Sequence, residues 1–115
     1  MIRQLEMFYY ANKDRAFKLG TWDCSILVRE WFEFIHCRKI EIDPFDKQNV
    51  SIIDNVDRYL NRTKTRATGN IALFKSNNPT LGIVKENMIL ALSPTGITAV
   101  ENKPLIMWSI TSCHQ

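Results

Sequence analysis

Cys24 is the residue of this 115-residue chain best suited to nucleophilic chemistry. Cys24, Leu27, Val28, Trp31, Phe32 and Ile35 fall on one face of a helical repeat, with Arg29, Glu30 and Glu33 on the other. The spacing therefore predicts a helix that ends near Cys37 and has Cys24 in its first turn. Thr21 or Asp23 can cap its start by accepting a backbone N–H, and Asp23 also complements the helix dipole. The free N–H groups and positive end of a helix stabilise a thiolate, which lowers the pKa of a cysteine placed there. The same position equally suits a small apolar core residue, so the stripe alone is compatible with a packing role.

A thiol nucleophile needs a base. His36 lies 12 residues after Cys24 on the same predicted helix, about 18 Å along its axis at about 1.5 Å per residue. A working Cys–His pair needs roughly 3 Å, so a continuous helix excludes His36 and leaves it a helix-end cation. His114, next to the C-terminal residue, has no place assigned by the sequence. Cys24, Cys37 and Cys113 show no CxxC spacing, and structural zinc needs about four ligands. Neither a disulfide scaffold nor a metal is expected, and no cofactor. Trp22 neighbours Cys24 but lies off the helical stripe, which makes it a candidate for lining a groove, whereas Trp31 and Phe32 read as core. Gly69, Gly82 and Gly96 sit at turns or strand starts and read as structural.

Fifteen basic and 12 acidic side chains give a net charge of +3, too small to imply nucleic acid by itself. Arg58, Arg62, Lys64, Arg66, Lys75 and Lys85 form a run with no acidic residue between them. Such a run is either a solvated helix end and loop or a patch for an acidic partner. Only Tyr59 and Phe74 flank it as stacking residues, so nucleic acid is not expected as a partner. The longest apolar run, Met88–Leu92, is far short of the roughly 20 residues of a membrane span, so none is expected. The opening MIRQLEMFYY has no apolar h-region or small-residue cleavage site, from which synthesis in a cytosol is expected.

The elements that must position Cys24 follow from periodicity. A first helix is expected from Ile2 to about Phe17, stopped by Gly20. A third is expected from Ser51 to Asn61, after the Asp43-Pro44 turn, with Ser51 and Asp54 resembling a capping box. A polar basic loop, Arg62–Thr68, follows it. From Gly69 the period changes to two, with short apolar strands at 71–75, 81–85, 87–92, 96–100 and 105–110 separated by turn residues. Tight connections make neighbouring strands antiparallel. The expectation is one domain, residues 1–115, of α+β class: helices first, packed on one face of an antiparallel sheet of about five strands.

Against these elements, the segment LGTWDCSILVREW resembles the nucleophile segment of the NlpC-type cell-wall cysteine peptidases, a papain-like superfamily in which G-x-x-D-C opens the helix. Nearly the whole chain resembles small phage-encoded proteins related to that superfamily. The resemblance runs through Phe17, Gly20, Asp23 and Cys24, the Asp43-Pro44 turn, Gly69–Ala72, Leu81–Ile83 and Trp108. It implies a papain-like core in which the Cys24 helix packs on a barrel-like sheet, and a place among phage tail genes.

The catalytic set that the resemblance implies is incomplete. The peptidases take their general base from a strand reading H-V-G-I and its orienting residue from a strand often reading M-I-H-A. The matching stretches here put Thr80 at the base position and Leu90 at the orienting position, and Asn70 replaces an aspartate. Amide hydrolysis needs a group that accepts the thiol proton and returns it to the leaving amine near neutral pH, which neither threonine nor leucine does. The expectation is a non-enzymatic structural or interaction protein of the phage virion, in the tail or tail tip, contacting other tail proteins or peptidoglycan. Cys24 would then be a vestigial nucleophile, with Asp23, Trp22 and Thr80 lining the cleft. The alternative is an active cysteine hydrolase of peptidoglycan peptides, with its base supplied by His114 or another chain.

Overall fold

The computed structural model describes residues 1–42 and 51–112. The Asp43-Pro44 turn, Cys113 and His114 lie outside the described residues. Among the described residues three helices precede the sheet: α1 (Ile2–Asn12), α2 (Cys24–His36) and α3 (Ile52–Asp57). Six strands follow: β1 (Arg62–Thr63), β2 (Ile71–Lys75), β3 (Pro79–Lys85), β4 (Met88–Ser93), β5 (Gly96–Val100) and β6 (Ile106–Trp108). The α+β class and the order of helices before strands are as the periodicity predicts; β2 to β5 follow one another as a meander, whereas β6 returns to pair with β2.

The strands run in the order β1-β6-β2-β3-β4-β5, and every neighbouring pair is antiparallel. The sheet is open, with β1 and β5 as its edges. The expected barrel-like sheet of about five strands is therefore corrected to an open sheet of six. The extra strand, β1, lies in the segment read as a loop, where Arg62 and Thr63 pair with Trp108 and Met107.

One face of the sheet meets the helices. Ile71, Leu73, Leu81, Ile83 and Leu90 are buried in one cluster with Leu27, Val28, Trp31 and Phe32 of α2. Phe8 of α1 joins it, its ring 5.3 Å from that of Trp31. The opposite face carries a smaller buried cluster of Ala72, Phe74, Val84, Ile89 and Ala91. Because both faces of β2 and β3 are covered, these strands read as nearly continuous apolar runs. Gly82 is required by this packing, since a Cβ there would stand 2.5 Å from Ile89 Cγ2 and 2.6 Å from the Leu90 carbonyl.

Buried polar bonds fix how the layers meet. Trp31 Nε1 donates to the Gly69 carbonyl at 2.8 Å, tying α2 to the start of the sheet. Asn70 Oδ1 accepts from the Ile110 amide at 3.1 Å while its amide nitrogen donates to Thr65. Asn70 is thus a structural clasp. Trp108 Nε1 donates to Asp57 at 2.8 Å, which anchors α3 to β6.

The helix boundaries differ from expectation at two places. α1 stops at Asn12 and not near Phe17. Its apolar stripe ends with Tyr9, and the Lys13 carbonyl, which could have continued the helix, accepts instead from the Ile97 amide of β5 at 3.0 Å. Gly20, with φ 82°, serves the turn closed by the Lys18–Trp22 bridge rather than ending α1. α3 is also shorter than expected, although Ser51 caps it by accepting the Asp54 amide at 3.3 Å.

Candidate functional site at the start of helix α2

Asp23 is fully buried and sets the local geometry. Its Oδ1 accepts the Ser25 and Ile26 amides at 3.1 Å each, and its Oδ2 accepts the Gly20 amide at 3.0 Å. Of the two caps the sequence allows, Asp23 is the one used. The carboxylate spends its charge on the orphan donors of the helix N-terminus and on closing the preceding turn.

Cys24, the first residue of α2, is a free thiol with only 8% of its surface exposed. That exposed fraction faces a cavity of about 330 Å³ lined by Phe17, Leu19, Asp23, Asn78, Pro79, Thr80 and Leu92. Burial pushes the thiol pKa up from its ordinary value, and the Asp23 charge pushes the same way. Backbone hydrogen bonds from Leu81 and Ser25, with the Ser25 side chain, oppose the rise without cancelling it. Helix position alone would lower the pKa; here desolvation and a carboxylate already seated on the helix terminus win.

The structure brings together three of the four sequence-derived cleft residues. Thr80, the second residue of β3, lines the same cavity as Cys24 and Asp23, and its hydroxyl donates to the Asn78 carbonyl at 3.0 Å. Trp22 does not line it. Its ring is 2% exposed, its Nε1 donates to the Arg15 carbonyl at 3.1 Å, and the Arg15 guanidinium lies 3.6 Å over the ring. Trp22 therefore packs as a buried cation–π partner that folds the 13–22 segment against α2.

Leu90 is likewise displaced from the position the motif match gives it. The two-residue Glu86-Asn87 turn pairs Lys85 with Met88, so Leu90 falls opposite Ile83 and points into the main core. The β4 residue that borders the cavity is Leu92. Phe17 and Leu19, 45% and 53% exposed, form the outer wall and were not singled out by periodicity. Two large apolar side chains just ahead of Gly20 and a capped cysteine helix are the signal that would have found them.

His36, the one histidine among the described residues, sits at the other end of α2. Its Nε2 lies 2.7 Å from the Ile110 carbonyl, and its ring centroid is 4.4 Å from that of Phe32. The helix is continuous over Cys24–His36, so the two ends are separated as the sequence predicts. Among the described residues no three His, Cys, Asp or Glu side chains group as metal ligands would.

The basic run is partly consumed locally. Arg62 makes a paired bond to Asp57 at 3.0 and 2.8 Å, and Arg66 donates to the Glu86 carbonyl at 3.0 Å. Among the described residues no helix is long and apolar enough to cross a membrane. The chain matches no protein-family model and has no match among curated proteins.

Proposed function

We propose that the chain is a papain-like, NlpC-like domain without catalytic activity, serving as a structural or interaction component of a phage particle in its tail or tail tip. The observation that carries this reading is the pairing of Cys24 with Thr80 in one cavity. The thiol sits at the head of a helix and shares its cavity with the start of a strand, and the residue that strand brings to the cavity carries a hydroxyl where the peptidases that the sequence resembles carry an imidazole. A threonine hydroxyl cannot hold and return a proton near neutral pH. The raised thiol pKa supports the same reading, since a resting thiol is a poor nucleophile. A fold freed from proton transfer still presents a packed surface for assembly.

The test is incubation of the purified protein with peptidoglycan fragments beside its Cys24→Ala variant. No Cys24-dependent cleavage is expected, and muropeptide cleavage lost in the variant would overturn the reading. The chain is also expected among the peptides of purified particles of the phage that encodes it; its absence there would remove the virion assignment. The position of Cys24 in an open cavity is what favours the second reading, a wall-peptide hydrolase completed by His114 or another chain. That reading expects the opposite result in the cleavage assay.

A further inference from the structure

We propose that the groove between α1 and the Glu86-Asn87 turn is a binding site for a neutral saccharide. Two recesses meet there, one of about 590 Å³ beside the turn and one of about 150 Å³ against α1. Tyr9, Lys85 and Leu90 line both, so the groove is continuous. The larger recess alone falls within the roughly 300–1,000 Å³ of small-molecule sites. Leu90, buried, gives it an apolar floor. Tyr9 and Tyr10 form its wall, with ring centroids 5.4 Å apart and nearly perpendicular. Tyr9 packs against the main core, whereas Tyr10 is 69% exposed. A ring pair anchored at one end offers an aromatic face with little left to order on binding.

The polar groups around these rings are uncommitted. Among the described residues the side chains of Glu6, Lys85, Glu86, Asn87 and Glu101, all lining the groove, make no hydrogen bond or ion pair. Elsewhere such groups are paired, as Arg62 is with Asp57 and Arg15 with Glu30. Glu86 also has φ 53°, a conformation that favours glycine or asparagine, yet its carboxylate bonds nothing in return. A strained residue whose side chain serves no structural contact marks a functional position. The mixture of charges decides the ligand class. An anion would face three carboxylates, and a cation would face the half-buried Lys85. A hydroxyl both donates and accepts, so a row of them uses the carboxylates, the ammonium and the Asn87 amide together. The C–H face of a pyranose ring then lies on a tyrosine ring. This groove shares no lining residue with the Cys24 cavity, so the inference stands independently of the proposed function.

Titration of the isotope-labelled chain with maltotriose, cellotriose and chitotriose, followed by amide NMR shifts, tests it. At least one of these sugars is expected to move the Tyr9, Tyr10, Glu86 and Asn87 amides saturably. Its Kd should be the same at low and high salt, because the ligand carries no charge. Tyr10→Ala should weaken that Kd by about three- to tenfold, the reach of one aromatic contact, while Tyr10→Phe keeps most of the affinity. Should Tyr10→Ala fail to fold, Glu86→Ala on the exposed turn takes its place, with a loss of the same order expected. Three sugars that leave these four amides unmoved overturn the inference, as does a site there that takes spermidine or inorganic phosphate and no sugar. A saccharide Kd that folded Tyr10→Ala leaves unchanged overturns it equally.

Discussion

The Asp23 carboxylate occupies the N-terminus of the very helix that Cys24 begins, its Oδ1 3.1 Å from both the Ser25 and Ile26 amides. The donors that a thiolate would draw on are thus already committed to a fixed anion beside it. Cys24 should therefore be alkylated more slowly than the exposed Cys37 at neutral pH. Peptide mapping after timed iodoacetamide treatment measures both rates in one sample. Cys24 reacting faster than Cys37 would contradict the raised thiol pKa and the inert-site reading together.

The same shift makes a prediction about stability. The folded-state pKa of Cys24 is raised, chiefly by burial, above its unfolded value. Its contribution is full below the unfolded thiol value of about 8.5 and is lost as pH climbs through the higher folded value. Alkaline pH should then lower the urea midpoint of the wild type more than that of Cys24→Ala. Other groups titrate in the same window, so the difference between the two curves is the quantity to read. Parallel curves would show that the thiol does not couple to folding.

Asp23 has two separable effects. Asp23→Asn keeps one capping oxygen for the Ser25 and Ile26 amides but removes the charge and sets an amide NH2 against the Gly20 N–H donor, so Cys24 should alkylate faster at a stability cost smaller than that of Asp23→Ala. Asp23→Ala removes the cap and leaves the Gly20, Ser25 and Ile26 amides without their acceptor, in a position that is fully buried. A loss of about 2 kcal/mol or more is expected, the upper end for a helix cap. Thermal melts of the two variants, run beside the alkylation assay, separate charge from capping. Equal melting temperatures would mean that the carboxylate does not hold the turn.

How far the sequence foretold these features depends on whether the cause was local. The cap, the α2 stripe and the β3–β4 turn are set by residues close together in the chain, and all were legible. The end of α1 was not, because the Lys13 carbonyl is captured by Ile97, a residue 84 positions away. Two residues of β1 carry too little alternation to register as a strand. Trp22 looked available because it lies off the α2 stripe; its burial depends on Arg15 folding back over the ring. Thr80 borders the Cys24 cavity, and the β4 residue that joins it there is Leu92. The register follows from the Glu86-Asn87 turn, which brings Leu92 and not Leu90 to the cavity wall.

Gly82 tests the two-faced packing of the sheet. A methyl group there would press on Ile89 Cγ2 at 2.5 Å and on the Leu90 carbonyl at 2.6 Å, and one of these is backbone. Relief requires β3 and β4 to move apart, which disturbs both buried clusters. Gly82→Ala should cost about 1–3 kcal/mol, the usual range for overpacking. A melting temperature within error of the wild type would show that the strands can separate freely at this point.

Thr80→His is the most direct probe of the Cys24 cavity. Thr80 is half-buried at the start of β3 and borders the same space as the thiol, and about 330 Å³ leaves room for an imidazole. A cationic imidazole near the sulfur favours the thiolate, opposing both burial and the Asp23 charge. Alkylation of Cys24 near neutral pH should rise by about tenfold or more, since each unit of pKa lowering below the starting value multiplies the thiolate fraction about tenfold. The rate should also acquire an inflection near the imidazole pKa that Thr80→Ala lacks. An unchanged rate in a folded Thr80→His variant would mean that position 80 does not address the sulfur, and the reading of Thr80 as the lost base position would fall.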